Sequence, residues 1–232
     1  STGPRSRIGT KPSTGVRSRL DCDLVSLMDL AQLLSPAQLE AATCVEAPVC
    51  ILAGAGSGKT RVITHRIAYL VKGKKERPWT ILAVTFTNKA AGEMRQRVDK
   101  LVPGSGPDVQ IGTFHGMAAR LLRRYGRAVG VPPSFLIYDA DDAQRLLKRV
   151  VTQELNYSKD SVRPIWSYID GWQSEGLLPA DVPEVHWNDF ETRARTAYGL
   201  YQERLQGMNA VDFGGLLLKL RDLLKLPAGQ DV

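Results

Sequence analysis

The sequence predicts an α/β fold: a parallel sheet built around a phosphate loop, with a large helical insert. Three observations carry this. An apolar run at 49–53 breaks into the glycine-rich stretch AGAGSGKT. Two later apolar runs, ILAVT (81–85) and VQIG (109–112), are each followed by a helical pattern. Beyond residue 126 the chain reads as helices, with no further strand of quality. Strand, crossover helix and strand in repetition require a parallel sheet whose faces are covered.

In chain order, residues 1–22 combine Ser, Thr, Gly, Pro and Arg and read as a disordered basic tail. Ser35-Pro36 opens a helix in PAQLEAATC, a capping hydroxyl followed by proline in the first turn. A short buried strand is expected at Val49–Ala53, then the glycine loop and a helix from Lys59 to Val71. The strand at 81–85 feeds the helix NKAAGEMRQRVDKLV, and that at 109–112 feeds FHGMAARLLRRYG. DADDAQRLLKRVVTQEL, VRPIWSYIDGWQSEG and NDFETRARTAYGLYQERLQ follow as helices. The last segment, NAVDFGGLLLKLRDLL, reads as a helix with apolar residues at 211, 213, 216, 217, 220, 223 and 224, packing back on the sheet domain.

Net charge is +7, but five of the 31 basic residues fall in the first 20 positions with no acid among them. The rest of the chain sets 26 basic against 24 acidic residues, so the excess belongs to the tail and not to a basic domain. Two local clusters stand out: Arg61, Arg66, Lys72, Lys74, Lys75 and Arg77, and Arg120, Arg123, Arg124 and Arg127. Each fits a nucleic-acid contact or a solvated face equally well. Cys22, Cys44 and Cys50 are odd in number and lack CxxC spacing, which fits reduced thiols and a cytoplasmic location. His65, His115 and His186 lie far apart without companion ligands, so no histidine metal site is expected. No apolar stretch approaches the roughly 20 residues of a membrane span, and no membrane partner is expected. The tail has no apolar core of the kind a signal peptide needs.

The loop at 53–60 has the chemistry of a triphosphate cradle. Ala53, Gly54, Ala55, Gly56, Ser57 and Gly58 allow backbone N–H groups to turn around a β-phosphate, with a helix N-terminus behind them. Lys59 would bridge β- and γ-phosphates, and Thr60 would place its hydroxyl on Mg²⁺. ATP and Mg²⁺ are the cofactors this pattern implies. Ala53 stands where the strict pattern has glycine.

A second pattern is duplicated: VTFTNKAAGEM (84–94) and GTFHGMAAR (112–120). Each predicted strand runs through Thr-Phe into a helix, and parallel strands present those ends on one edge. Phe86 and Phe114 there would form an aromatic face for single-stranded nucleic acid held without sequence preference. The competing reading makes each Phe a plug in a strand–helix corner.

These stretches together resemble the N-terminal part of a UvrD/Rep/PcrA-type superfamily 1 DNA helicase. LSPAQLEAA resembles the Q motif, AGAGSGKTRV motif I, AVTFTNKAAGEMRQRV motif Ia and IGTFHGMAARLLR motif Ib. NAVDFGGLL resembles the segment that re-enters the first motor domain. The resemblance implies an incomplete RecA-like domain, 23–112 and 209–232, with an all-helical insert at 113–208. It implies that Gln38 reads adenine, Arg61 lies on the adenine face, and Thr85, Phe86, Asn88, Thr113, Phe114 and His115 line the single-stranded DNA track. It further implies ATP-driven 3′ to 5′ movement and unwinding at single-strand/duplex junctions, with repair or replication proteins as partners. Family members often carry acid after Asp-Phe, where this chain has Gly214-Gly215, at about 1 kcal/mol of helix propensity per glycine.

An ATPase of this kind also needs an acid to hold Mg²⁺ and orient water. FLIYDADDAQ imitates such a strand end, but Asp139, Asp141 and Asp142 suit a helix cap and its first turn. The resemblance puts the catalytic acid and the second motor domain beyond Val232, so this stretch alone is expected to be a poor ATPase. A P-loop ATPase acting elsewhere, or a nucleotide-sensing single-strand-binding module without unwinding, remains the alternative.

Overall fold

Among the described residues, five helices begin where a short polar side chain binds a free N–H of the first turn. The computed structural model describes residues 30–104, 106–184 and 189–227, so the predicted basic tail, Cys22 and His186 lie outside the described residues. The chain divides into two compact units: residues up to Ala83 with Thr87–Ile111, and Val84–Phe86 with Gly112 onward.

In the first unit, α1 (Pro36–Thr43) starts at Ser35 in a full capping box with Gln38. Its C-terminal carbonyls are met by Arg66, which donates to Ala41 O at 3.1 Å and to Cys44 O. Helix α2 (Lys59–Lys72) follows the glycine loop and carries apolar residues on two faces. Val62 and Tyr69, one heptad apart, join Leu30, Leu34 and Ala42. Ile67 and Ala68 join Met94 and Val98 of α3 (Asn88–Leu101), with Ala83, Val109 and Ile111. Strands β1 (Leu82–Thr85) and β2 (Gln110–Thr113) pair with each other. Arg95 on α3 donates to the carbonyl of Ile111.

In the second unit, α4 (Phe114–Tyr125) packs Ala118 and Leu122 with Val131, Phe135 and two leucines, 216 and 223, of α8 (Phe213–Lys225). A larger core joins α5 (Ala140–Arg149), α6 (Val162–Glu175) and α7 (Asp189–Gly207) around Leu147, Ile165, Ile169, Tyr198 and Tyr201. Helix α5 runs on into a π-helical turn, Val150–Glu154, where Leu155 N–H reaches Val150 O at 3.0 Å. Burial, with the negative charge of Asp212 next in weight, pushes the phenols of Tyr198 and Tyr201 above their ordinary range.

Three expectations are corrected. Residues 49–53 form no strand: Leu52 is 93% exposed, and a strand without a ladder partner has nothing to fix it. The region after 126 is not all-helical, because β3 (Leu136–Tyr138) pairs in parallel with β4 (Ala210–Asp212), Leu136 opposite Ala210. The final segment is therefore strand then helix, α8 starting only at Phe213. Three-residue strands are too short to show a period in sequence. The fold is a mixed helix–strand one with small sheets.

Candidate nucleotide and nucleic-acid sites

The glycine loop at 53–58 is exposed or half-buried, and it turns into α2 through two residues in the left-handed region, Gly56 (φ 77°) and Gly58 (φ 87°). Gly58 is constrained twice, since a Cβ there would lie 2.9 Å from Gln38 Nε2. At Gly54 and Gly56 the same added atom meets nothing within 4 Å, leaving open space above the loop. Lys59 bends its ammonium onto the loop, donating to Ala53 O at 2.9 Å and Gly54 O at 2.7 Å. Ser57 Oγ also donates to Gly54 O, at 2.7 Å. Thr60 is half-buried in the first turn of α2.

Gln38 meets this loop directly. Its Oε1 accepts from Ser35 N–H at 3.1 Å, and its Nε2 donates to Ser57 O at 3.0 Å. One amide thus caps α1 and touches the phosphate loop. Arg61, exposed on α2, donates to Leu33 O at 2.5 Å. The backbone oxygen of Arg61 accepts from Thr64 Oγ1 at 3.0 Å and lies 2.7 Å from His65 Nδ1. Glycines, an ammonium and a helix N-terminus at one turn are the donor set that a polyphosphate needs. Among the described residues no cluster of three His, Cys, Asp or Glu side chains could hold a metal ion.

The two Thr-Phe motifs, alike in sequence, differ in register. Thr113 caps α4, accepting from Gly116 N–H at 3.1 Å, so Phe114 is the first helical residue. In the other motif the cap of α3 is Thr87, which accepts from Ala90 N–H at 3.1 Å. Phe86 therefore precedes its helix and is 91% exposed, which removes the core-plug reading for that ring. Both phenylalanines belong to the second unit, their ring centroids 5.6 Å apart at 49°. Thr85 is half-buried at the end of β1, while Asn88 is exposed in the first turn of α3 and belongs to the first unit.

His115 makes a second aromatic pair, an edge-on contact with Phe213, centroids 5.4 Å apart. Phe213 and Phe114 are 45% and 42% exposed. Sequence reasoning does not assign Phe213 to this surface, although a signal for it is present. Asp-Phe at a strand–helix junction, the Asp acting as cap, parallels Thr113-Phe114. Asp139 is occupied elsewhere, accepting from Asp142 N–H at 2.9 Å as the cap of α5. Arg123 is also structural, donating to Pro133 O at 3.1 Å with its guanidinium 4.8 Å from the Phe135 ring. No helix among the described residues is long and apolar enough to cross a membrane.

Known proteins are similar to this chain in sequence. It is 42% identical over 174 residues to DNA helicase II of Salmonella typhimurium, and equally to that of Escherichia coli over 174 residues. It is 41% identical over 177 residues to the ATP-dependent DNA helicase PcrA of Leuconostoc citreum. Each match covers 75% of this chain but only 24% of the relative, so the chain spans about a quarter of their length. Residues 34–231 match the UvrD/REP helicase N-terminal domain, and the chain belongs to that family.

Proposed function

We propose that this chain is the N-terminal part of an ATP-driven motor that moves 3′ to 5′ along single-stranded DNA and unwinds duplex at junctions. The observation that carries the proposal is the two exposed aromatic pairs, Phe86–Phe114 and His115–Phe213, joined in sequence at Phe114-His115, in a chain that also holds a P-loop. Solvent-facing rings at strand–helix junctions offer bases a stacking surface without sequence readout. Thr85 and Thr113 would line the same track, and Asn88 is the candidate strand-binding residue of the first unit. The boundaries inferred from sequence, a RecA-like domain of 23–112 and 209–232 with an insert of 113–208, belong to this proposal.

Lys59 would leave its two carbonyl partners to meet β- and γ-phosphate oxygens, and N–H groups of Gly54–Gly58 would receive the β-phosphate. Gln38 would read the adenine edge from a position already fixed by Ser35 and Ser57, with Arg61 against the adenine face. Mg²⁺ bound with the nucleotide, on Thr60, would supply charge neutralisation of the phosphate oxygens.

With Asp139 committed to a helix cap and three-quarters of the relatives' length outside this match, residues 1–232 alone would turn over ATP poorly. The test is ATPase activity of residues 1–232 and of the longer protein, each with and without single-stranded DNA. The proposal requires DNA-stimulated turnover in the longer protein and little in the shorter. Turnover indifferent to DNA would instead leave a P-loop ATPase or nucleotide sensor. Robust stimulated turnover by residues 1–232 would place the catalytic acid within them.

A further inference from the structure

Gly214 and Gly215 stand in the first turn of α8, and the second unit gives each a reason to be glycine. Asp212, 2% exposed, caps α8 and is the hub of a buried polar network. Its Oδ1 accepts from Gly215 N–H at 2.7 Å, and its Oδ2 accepts from Tyr201 OH at 2.8 Å and Gln173 Nε2 at 3.1 Å. Three elements, α6, α7 and α8, thus meet on one carboxylate. All the donors are neutral, and Tyr201, with its phenol pushed above the ordinary range by burial and then by Asp212, stays protonated.

Gln173 reaches this carboxylate by lying across Gly214. A Cβ at Gly214 would fall 2.2 Å from Gln173 Oε1, 2.6 Å from its Cδ and 3.1 Å from its Cβ. A Cβ at Gly215 would fall 2.6 Å from Asp212 Oδ1. The glycines are the room in which the Gln173–Asp212 contact is made, and an acid at 214 would exclude that contact. Asp212 immediately precedes Phe213, whose Cα follows it by the fixed trans-peptide distance of about 3.8 Å. Tying the Asp212 side chain to two other helices therefore fixes where the Phe213 ring leaves the backbone.

We propose that Gln173 is a positioning residue for single-strand binding: across Gly214 it holds Asp212, and through Asp212 it seats Phe213 against His115 on the aromatic face. The inference rests on the reading of that face as the strand-binding site. The hydrogen bond it invokes lies in a buried site, where removing one partner leaves the other without water to replace it.

The test compares Gln173→Ala, Gly214→Ala and their double variant with Phe86→Ala and Phe213→Ala, all in the 232-residue chain. Affinity for an oligothymidine is read by anisotropy per folded molecule, and base stacking by quenching of 2-aminopurine placed in the same oligonucleotide. Gln173→Ala and Gly214→Ala should each weaken affinity by about 3- to 10-fold and relieve part of the quenching. The double variant should be little worse than Gln173→Ala, because the approaches to Oε1 and Cδ are then gone and only the 3.1 Å approach to the Cβ of residue 173 is left. Gln173→Asn, one methylene short, keeps the polarity and should behave like Gln173→Ala if reach is what matters. Unchanged affinity and quenching in the folded Gln173 and Gly214 variants, with Phe213→Ala still weak, would overturn the positioning role alone. Additive losses in the double variant would overturn the steric link. Unchanged binding in both phenylalanine variants would overturn the strand-binding face itself, and the inference with it.

Discussion

Replacing Phe86 by alanine separates folding from binding, because the ring is so exposed. An enclosed phenylalanine buries roughly 150–250 Å². With 91% of Phe86 exposed, about 20 Å² is withdrawn from water, or about 0.5 kcal/mol at about 25 cal/mol per Å². The tilted contact with Phe114 adds about 0.5–1.5 kcal/mol at most. The stability loss should thus stay below about 2 kcal/mol, against about 3–5 kcal/mol for a core Phe→Ala change. At about 2–4 °C per kcal/mol for a chain of this size, Tm should fall by less than about 8 °C. A lost stacking platform is instead worth about 1–3 kcal/mol per base, about 5- to 150-fold in Kd. Anisotropy with a labelled single strand and a thermal melt of the same preparation give both numbers. A Tm drop beyond about 10 °C with unchanged affinity per folded molecule would refute the argument.

Lys59→Ala should abolish ATP turnover in the longer protein while leaving the melt of this chain nearly unmoved, since the ammonium contacts only exposed loop carbonyls. Normal DNA-stimulated turnover in that variant would remove the P-loop assignment. Gly58→Ala should destabilise the loop by about 1–2 kcal/mol, through its positive φ and its approach to Gln38, and should weaken nucleotide binding in titrations of the longer protein. Unaltered nucleotide affinity in Gly58→Ala would show that the loop tolerates another path. Stability should also decline above about pH 10, the ordinary phenol value. There the unfolded chain releases protons that buried Tyr198 and Tyr201 retain, costing about 1.4 kcal/mol per pH unit for each phenol. Urea titrations from about pH 9 to about pH 11 should show this slope, reduced in Tyr201→Phe; a flat profile would contradict the buried-phenol account.

The helices are legible in the sequence and the small sheets much less so. Ser35-Pro36, and the Asp residues opening α5, announce helix starts by local chemistry alone, and the structure has helices starting there. A strand is defined by a partner elsewhere in the chain, and local residues cannot name one. Val49–Ala53 has a strand's composition and no strand among the described residues, whereas β3 and β4 have three residues each and do pair. The P-loop is legible because glycines, lysine and threonine at fixed spacing serve one local geometry, while Phe213 is hidden because its neighbour on the surface, His115, is distant in sequence.

The Thr-Phe duplication shows how far such motif reading reaches. Identical dipeptides predict two equivalent corners, yet the capping residue precedes the ring in one motif and follows it in the other. That single-residue offset moves Phe86 out of helical geometry and leaves it 91% exposed, while Phe114 starts a helix and is half covered. Side chains that must lie on one surface need not share a backbone register. They need only arrive at contact distance, as the 5.6 Å between these rings permits. The same logic separates the chemistry of Asp212 from that of Asp139. Both cap helices, but only Asp212 gathers Gln173 and Tyr201 from other helices, so only there does a cap residue fix an aromatic neighbour against the rest of its unit. A capping aspartate is a local feature; the partners it collects from other elements make it a lever on the surface.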